Sequence, residues 1–90
     1  MKAARTDANQ PAIVDALRKC GVLVTLLHKV GDGVPDLLCH FRGKTVMLEV
    51  KIPGGKLNKL QQDWHAARKD CAVYVVTSEQ EAIDAVMGAV

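Results

Sequence analysis

Residues 35–51 read Pro-Asp-Leu-Leu-Cys-His-Phe-Arg-Gly-Lys-Thr-Val-Met-Leu-Glu-Val-Lys. Two short apolar runs flank the Gly43-Lys44 pair, and glycine at the first central position suits a two-residue type II′ turn. The stretch therefore predicts a β-hairpin whose turn is Gly43-Lys44. In that register Asp36 lies opposite Lys51.

The two faces of this hairpin differ in chemistry. Because side chains alternate between the faces of a strand, we expect Asp36, Glu49 and Lys51 to emerge together at one end of one face. The other face is wholly apolar and carries Leu37, Cys39, Phe41, Val46, Leu48 and Val50. The hairpin thus predicts a core wall on one side and a charged cluster on the other.

The charged cluster is suited to phosphodiester chemistry. Two neighbouring carboxylates repel each other and favour a cation. Mg²⁺ and Mn²⁺ prefer such oxygen ligands and bind through one or two carboxylates plus substrate phosphate, while Lys51 adds a positive charge that can stabilise a transition state. The alternative is a solvated surface pair that contributes little. The glycine-containing loop before Asp36 favours the site, because Pro35 stiffens the start of the strand.

Length and composition limit the protein to one domain, residues 1–90, with residues 1–6 as a loose N-terminal tail. The hydrophobic fraction of 49% is ample for a core. Aromatic residues are so scarce that the core must be aliphatic and base stacking cannot be a main binding device. We expect no association with a membrane, because no apolar run is long enough to span a bilayer.

The cysteines indicate the compartment. Cys20, Cys39 and Cys71 are odd in number and widely spaced, and they match neither a zinc-binding pattern nor a disulfide framework. We interpret them as reduced, mostly buried thiols of a cytoplasmic protein. A catalytic cysteine is set aside because no histidine is arranged as its base.

Positive charge is concentrated around the hairpin. Residues 42–69 contain seven Lys and Arg against two acids, a local balance of +5, although the whole chain carries only +2. This distribution suits a polyanion such as DNA, with Lys44, Lys56 and Lys59 on its backbone. A solvated basic loop and helix would show the same pattern.

Hydrophobic periodicity predicts the element order α-β-β-β-α-β-α. A first helix capped by Asp7 or Asn9 should run to Gly21, with its apolar stripe ending at Cys20. Residues 22–29 and 72–77 predict strands, both buried. Two further helices should begin at capping boxes, and their inward stripes are Leu57, Leu60, Trp64 and Ala67, then Ala82, Ile83, Val86 and Met87.

The capping boxes are Asn58 with Gln61 and Ser78 with Glu81. A hairpin followed by a helical crossover implies an α/β fold, with a mixed four-stranded sheet flanked by helices.

Three segments together resemble a nuclease family: Gly-Val-Pro-Asp-Leu-Leu at 33–38, Leu-Glu-Val-Lys at 48–51, and Leu-Asn-Lys-Leu-Gln-Gln-Asp-Trp-His at 57–65. The family is the VRR-NUC (virus-type replication-repair nuclease) branch of the PD-(D/E)XK superfamily, in particular its small stand-alone members from phages and bacteria. The resemblance covers residues 7–87 and implies a restriction-endonuclease-like core.

The resemblance also implies roles for individual residues. Asp36 and Glu49 would bind Mg²⁺ or Mn²⁺, and the carbonyl of Val50 would complete the protein ligands. Lys51 would be the catalytic cation. Gln61 would support the site or contact DNA, a role compatible with its place in a capping box.

One departure concerns the first helix, where related nucleases often carry a glutamate that assists the metal site. Residues 9–12 contain no carboxylate, and the nearest acids are Asp7 and Asp15. Either Gln10 substitutes through an outer-shell contact or a second metal position is weak. A one-metal mechanism is unaffected. We interpret His28 and His40 as structural, and the acid at position 32 as a turn residue.

The site residues predict a metal-dependent DNA endonuclease, and the family resemblance implies that it acts on branched DNA, such as a Holliday junction, in replication, repair or recombination. Two symmetric cuts require two sites, so we expect a homodimer, and we expect no organic cofactor. The alternative is a non-catalytic nucleic-acid-binding or assembly module with the nuclease fold.

Overall fold

The computed structural model describes residues 7–88, so the expected tail at residues 1–6 lies outside the described part of the chain. Its elements, in chain order, are α1 (Gln10–Lys19), β1 (Leu23–Leu26), β2 (Leu37–Phe41), β3 (Lys44–Val50), α2 (Lys59–Ala67), β4 (Val73–Val76) and α3 (Glu79–Gly88). The predicted element order is therefore confirmed.

The four strands form one mixed sheet in the order β1-β2-β3-β4. The first two pairings are antiparallel, and β3 pairs with β4 in parallel. Parallel neighbours need a crossover connection, which α2 provides. The predicted α/β class is confirmed.

The hairpin turn differs from the prediction. Arg42 and Gly43 form it, with φ of 51° and 77°, and Phe41 pairs with Lys44. Two consecutive positive φ values are typical of a type I′ turn, whose twist matches that of the strands. The guanidinium of Arg42 lies 5.0 Å from the Phe41 ring centroid, a contact that favours this turn. The predicted turn at Gly43-Lys44 is therefore wrong.

The register moves by two residues as a consequence, but the faces do not change. Leu37 pairs with Leu48, and continuing that register by one residue sets Asp36 opposite Glu49 rather than opposite Lys51. A shift of two keeps every side chain on its predicted face.

The core lies between one face of the sheet and helices α1 and α3. It is aliphatic, as predicted, and its buried members are Ile13, Val14, Leu17, Val22, Leu37, Cys39, Val46, Leu48, Val50, Val76, Ala82 and Val86. None of the helices described within residues 7–88 is long and apolar enough to cross a membrane.

Burial was predicted less well than order. β1 and β4 are the edge strands, so residues expected to be buried are partly open: Leu23 is 70% exposed, and Tyr74 and Val75 are 42% and 44% exposed. In α2 the inward stripe is rotated, because Leu60 and Ala67 are exposed. The half-buried residues of α2 are Gln61, Trp64 and His65, and Leu57, just before the helix, is half-buried as well.

The cysteine prediction holds in part. All three thiols are free, as expected, but Cys20 and Cys71 are exposed and Cys39 alone is buried. Cys20 follows the last turn of α1 and does not continue its apolar stripe.

Candidate functional site

Asp36 and Glu49 meet on the face of the sheet opposite the aliphatic core. The strand alternation that buries Leu37 and Leu48 in the core sends these two carboxylates the other way. Asp36 precedes β2 and its Oδ2 accepts a hydrogen bond of 2.9 Å from the N–H of Val50. This contact fixes Asp36 across the end of β3, next to Glu49.

Glu49 is a buried acid. This residue is only 1% exposed, and its buried Oε1 accepts no hydrogen bond from an N–H or hydroxyl donor of the described residues. Burial, followed by hydrogen bonding and repulsion from the neighbouring Asp36 carboxyl, raises the pKa of Glu49 to about 8, although Lys51 acts in the opposite direction. The pair is therefore poised to hold a proton or a cation.

Lys51 supplies the nearest positive charge. Its Nζ lies 3.9 Å from Glu49 Oε2, and its side chain is 18% exposed. Both backbone polar groups of Lys51 are hydrogen-bonded. Its N–H donates to Val76 O, and its carbonyl accepts from Asn9 Nδ2. The ammonium is thus placed at the mouth of the acid cluster by a rigid strand end.

Gln61 connects α2 to the acid cluster. Its backbone N–H donates to Asn58 Oδ1 and its Oε1 accepts from the Asn58 N–H, both at 2.9 Å, so the predicted capping box is confirmed. Its Nε2 donates to Glu49 Oε2 at 3.3 Å. The two roles considered for Gln61, helix cap and support of the site, are compatible in one amide.

An open cleft of about 560 Å³ leads to these groups. Its walls come from the loop before β2, from the end of β3 and from the start of α2. It is lined by Asp7, His28, Gly31, Asp32, Gly33, Val34, Asp36, Glu49, Val50, Lys51, Asn58, Leu60 and Gln61. The arrangement can admit an extended phosphate-bearing ligand to both carboxylates and to Lys51.

The backbone of Val50 borders the same cleft. The N–H groups of Met47 and Lys51 point to β4, whereas that of Val50 points to the β2 side, towards Asp36. In this register the residue opposite Val50 is Pro35, which has no N–H to donate. The Val50 carbonyl therefore receives no ladder hydrogen bond from that position, which suits a ligand oxygen.

The donor set fits an oxygen-preferring divalent ion that keeps most of its water shell. Among residues 7–88 no group of three His, Cys, Asp or Glu side chains is placed to hold a metal ion, so the site offers two carboxylates and a carbonyl. Mg²⁺ commonly binds through one or two carboxylates together with substrate phosphates. The unpartnered Oε1 of Glu49 is the observation that supports this fit.

The start of α1 does not behave as predicted. Asn9 is the N-cap residue but makes no side-chain cap; its Nδ2 instead donates to Lys51 O at 3.1 Å and to Thr77 O at 3.0 Å. Gln10 is buried and is not among the residues that line the cleft, and its Oε1 has no hydrogen-bond partner among the described residues; its outer-shell role stays a prediction. Asp7 does line the cleft, and its charge also raises the pKa of Glu49.

Besides Asp7, three polar cleft residues were not predicted to belong to a site: His28, Asp32 and Asn58. The interpretation of the histidine as structural and of the acid as a turn residue missed that their loop forms one wall. The positive φ of Asp32, 56°, agrees with the turn. The signal in the sequence was their position in the loop that ends at Pro35.

The predicted DNA-binding lysines lie in different places. Lys44 is at the turn of the hairpin, about 17 Å along the strand from Glu49. Lys59 pairs with Asp63 at 3.0 Å, and both side chains are exposed. Lys56 is exposed in the loop between β3 and α2, close in sequence to the cleft residue Asn58.

Comparisons of the chain with protein-family models, with curated proteins and with solved structures found no match. The nuclease family that the three segments indicate therefore stays a prediction from the sequence.

Proposed function

We propose that this chain is a Mg²⁺- or Mn²⁺-dependent endonuclease that hydrolyses phosphodiester bonds in DNA. The observation that carries the proposal is the burial of Glu49, with its unpartnered Oε1, against a second carboxylate at the end of an open cleft. Burying such a pair is costly unless a proton or a cation compensates the charge. A groove that only bound phosphate would gain nothing from two acids.

Asp36 and Glu49 would hold the ion, with the Val50 carbonyl as third protein ligand. When bound, such an ion polarises a phosphoryl oxygen and lowers the pKa of a coordinated water. The Val50 N–H and the Gln61 amide each bond one carboxylate oxygen, so both acids are oriented before any substrate arrives.

Lys51 would stabilise the charge that develops on the phosphoryl group in the transition state. Its Nζ is 3.9 Å from Glu49 Oε2, a separation that would leave room for an ion held by the two acids. The exposed Lys56 would contact the DNA backbone near the cleft, and Lys44 would reach a more distant phosphate. Such contacts are tolerant of sequence and sensitive to salt.

Branched or junction DNA is the substrate class we propose, with a function in replication, repair or recombination. The resemblance of the three sequence segments supports this choice. Resolving a four-way junction requires two cuts related by symmetry, and a homodimer would supply the two sites.

The test is incubation of plasmid DNA and a synthetic four-way junction with Mg²⁺ or Mn²⁺. Asp36→Asn is the decisive variant, because it removes the charge but keeps an oxygen that accepts the Val50 N–H. Asp63→Asn is the matched control, since Asp63 is an exposed acid of α2 paired only with Lys59. We expect cleavage by the wild type and by Asp63→Asn, and at least a ~100-fold loss in Asp36→Asn.

Two outcomes would contradict the proposal. Equal cleavage by Asp36→Asn would assign the activity to a contaminant. Binding of the junction without cleavage, under every metal condition, would favour the non-catalytic nucleic-acid-binding module.

A further inference from the structure

Strand β4 has the sequence of an interior strand but lies at the edge of the described sheet. Its four residues, Val73–Val76, are all apolar, with no charge and no proline. Tyr74 and Val75 remain 42% and 44% exposed on opposite faces. An open apolar edge of this kind is a template for pairing with another strand, and proteins usually block it with charge, proline or a covering element.

The backbone N–H and C=O groups of Val75 lie in the plane of the sheet and are directed away from β3. Met47 and Lys51 of β3 donate to the carbonyls of Ala72 and Val76, so the even-numbered residues of β4 face β3. Val75 is the partner of Glu49 in the parallel register. Its own N–H and C=O therefore point to the free edge.

The positions on either side of Val75 are already partly occupied. The N–H of Val73 donates to Cys71 O at 2.9 Å, and the N–H of Thr77 donates to Glu81 Oε1 at 2.7 Å. The unpaired donor and acceptor thus concentrate at Val75, at the middle of the strand.

The opposite edge of the sheet is partly occupied by a side chain of α1. Leu27 donates to Asp36 O, so the odd-numbered residues of β1 face β2, and Val24 faces outward. Arg18 Nη2 of α1 donates to the Val24 carbonyl at 3.1 Å. Among the described residues both edges keep an outward N–H, at Leu26 of β1 and at Val75 of β4, and the charges that flank β4 favour pairing at that edge.

We propose that β4 pairs with β4 of a second copy of this chain, antiparallel about a two-fold axis at Val75, so that the two four-stranded sheets become one. Charge complementarity points to a second copy. Arg68, Lys69 and Asp70 precede the strand with a net charge of +1 (two cations, one acid), whereas Glu79 and Glu81 follow it with a net charge of −2. An antiparallel pairing of identical strands sets the basic start of each copy beside the acidic end of the other, so the edge is complementary to itself.

This pairing goes beyond the proposed nuclease function. It would also determine how the two acid clusters of a dimer are placed relative to each other. The two-fold axis of an antiparallel strand pair is perpendicular to the sheet, so both acid clusters would face the same side. Glu49 is level with Val75, and three strand spacings separate the two copies of Glu49. Their Cα atoms would lie about 14 Å apart, on one surface that a single DNA substrate could cover.

The test measures molar mass by light scattering and sedimentation equilibrium, which does not depend on catalytic activity. Val75→Pro removes only the outward N–H and should weaken the dimer at least ~10-fold. Leu26→Pro is the matched control, because its N–H also faces outward and its exposure, 46% against 44%, is similar. We expect a wild-type dimer, a Leu26→Pro dimer and a Val75→Pro monomer.

If the proline variant does not fold, exchanging two charges beside the strand tests the same interface. Lys69→Glu should weaken the dimer, and adding Glu79→Lys in the same chain should restore it. A wild-type protein that stays monomeric up to millimolar concentration would overturn the proposal. So would a Val75→Pro dimer of unchanged affinity, or a charge exchange that leaves the mass unaltered. A confirmed dimer without any nuclease activity would support the interface and reject the proposed function.

Discussion

A Cβ atom at Gly33 would lie 2.3 Å from the carbonyl oxygen of Leu60. The loop that leads to Asp36 therefore packs, backbone against backbone, on the first turn of the helix that carries Gln61. These two segments form opposite walls of the cleft. Gly33 also adopts φ of +81°, so both space and conformation require glycine at this position.

Replacing Gly33 with alanine should therefore separate the two walls of the cleft. We expect Gly33→Ala to lower the free energy of unfolding by at least ~2 kcal/mol and to reduce metal-dependent cleavage. Gly31→Ala is the control in the same loop, because Gly31 has φ of +79° but nothing within 4 Å of its Cβ position. Chemical denaturation and cleavage assays of both variants test this. Equal effects would show that conformation alone, and not the contact with Leu60, explains the requirement.

The hairpin shows how far sequence pattern determines structure. Alternation of apolar and polar residues correctly predicts that Asp36 and Glu49 share one face of the hairpin. The assignment of side chains to faces is unaffected by the error in register, because that error is two residues. The error arose at the turn, where Arg42 adopts a left-handed conformation usually left to Gly, Asn or Asp. The prediction used only the preference of glycine for turn positions, and it did not consider the contact between Arg42 and Phe41.

Burial of the outer strands could not be predicted for a different reason. The sequence of β4 is that of an interior strand, and only the sheet order shows that it lies at an edge. The same limit applies to the cleft. His28 lines the cleft because the loop before β2 folds back towards α2. This contact joins segments that are distant in sequence, so the periodicity of neighbouring residues does not predict it.

The three thiols should differ sharply in reactivity. Cys39 is fully buried, and burial raises its pKa to about 11, whereas Cys20 and Cys71 are exposed. Because the thiolate is the reactive form, an aromatic disulfide reagent at pH 8 should modify two thiols quickly and the third only on unfolding. Cys39→Ala should abolish the slow phase without changing the fast one. Three equal rates in the native protein would contradict the burial of Cys39.

Gln61 allows the helix cap and the acid cluster to be separated. Asn58→Ala removes the acceptor of the Gln61 N–H but leaves the contact of Gln61 with Glu49. Gln61→Ala removes the acceptor of the Asn58 N–H together with the contact to Glu49. We expect each variant to lose ~1 kcal/mol of stability, as for other cap deletions. Only Gln61→Ala should also lose substantial cleavage activity. Thermal unfolding and cleavage rates measure the two effects, and an equal loss of activity in both would assign Gln61 to helix capping alone.

Glu49 should make the stability of the protein depend on pH in a direction opposite to that of ordinary acids. Its pKa is about 8 in the folded protein against an ordinary 4.5, so the native state binds the proton more tightly than the unfolded chain. Its contribution to stability is therefore fully present below pH 4.5 and is lost as the pH rises to about 8.

Melting temperatures measured between pH 5 and 9, with a chelator present, should show this loss. Glu49→Gln is neutral at every pH, so its melting temperature should depend less on pH and should be higher than that of the wild type at pH 8. Mg²⁺ or Mn²⁺ should restore stability at pH 8 in the wild type but not in Glu49→Gln. A control with Asp63→Asn, an exposed acid on α2, should follow the wild-type profile. If the metal stabilised Glu49→Gln as much as the wild type, Glu49 would not be a ligand.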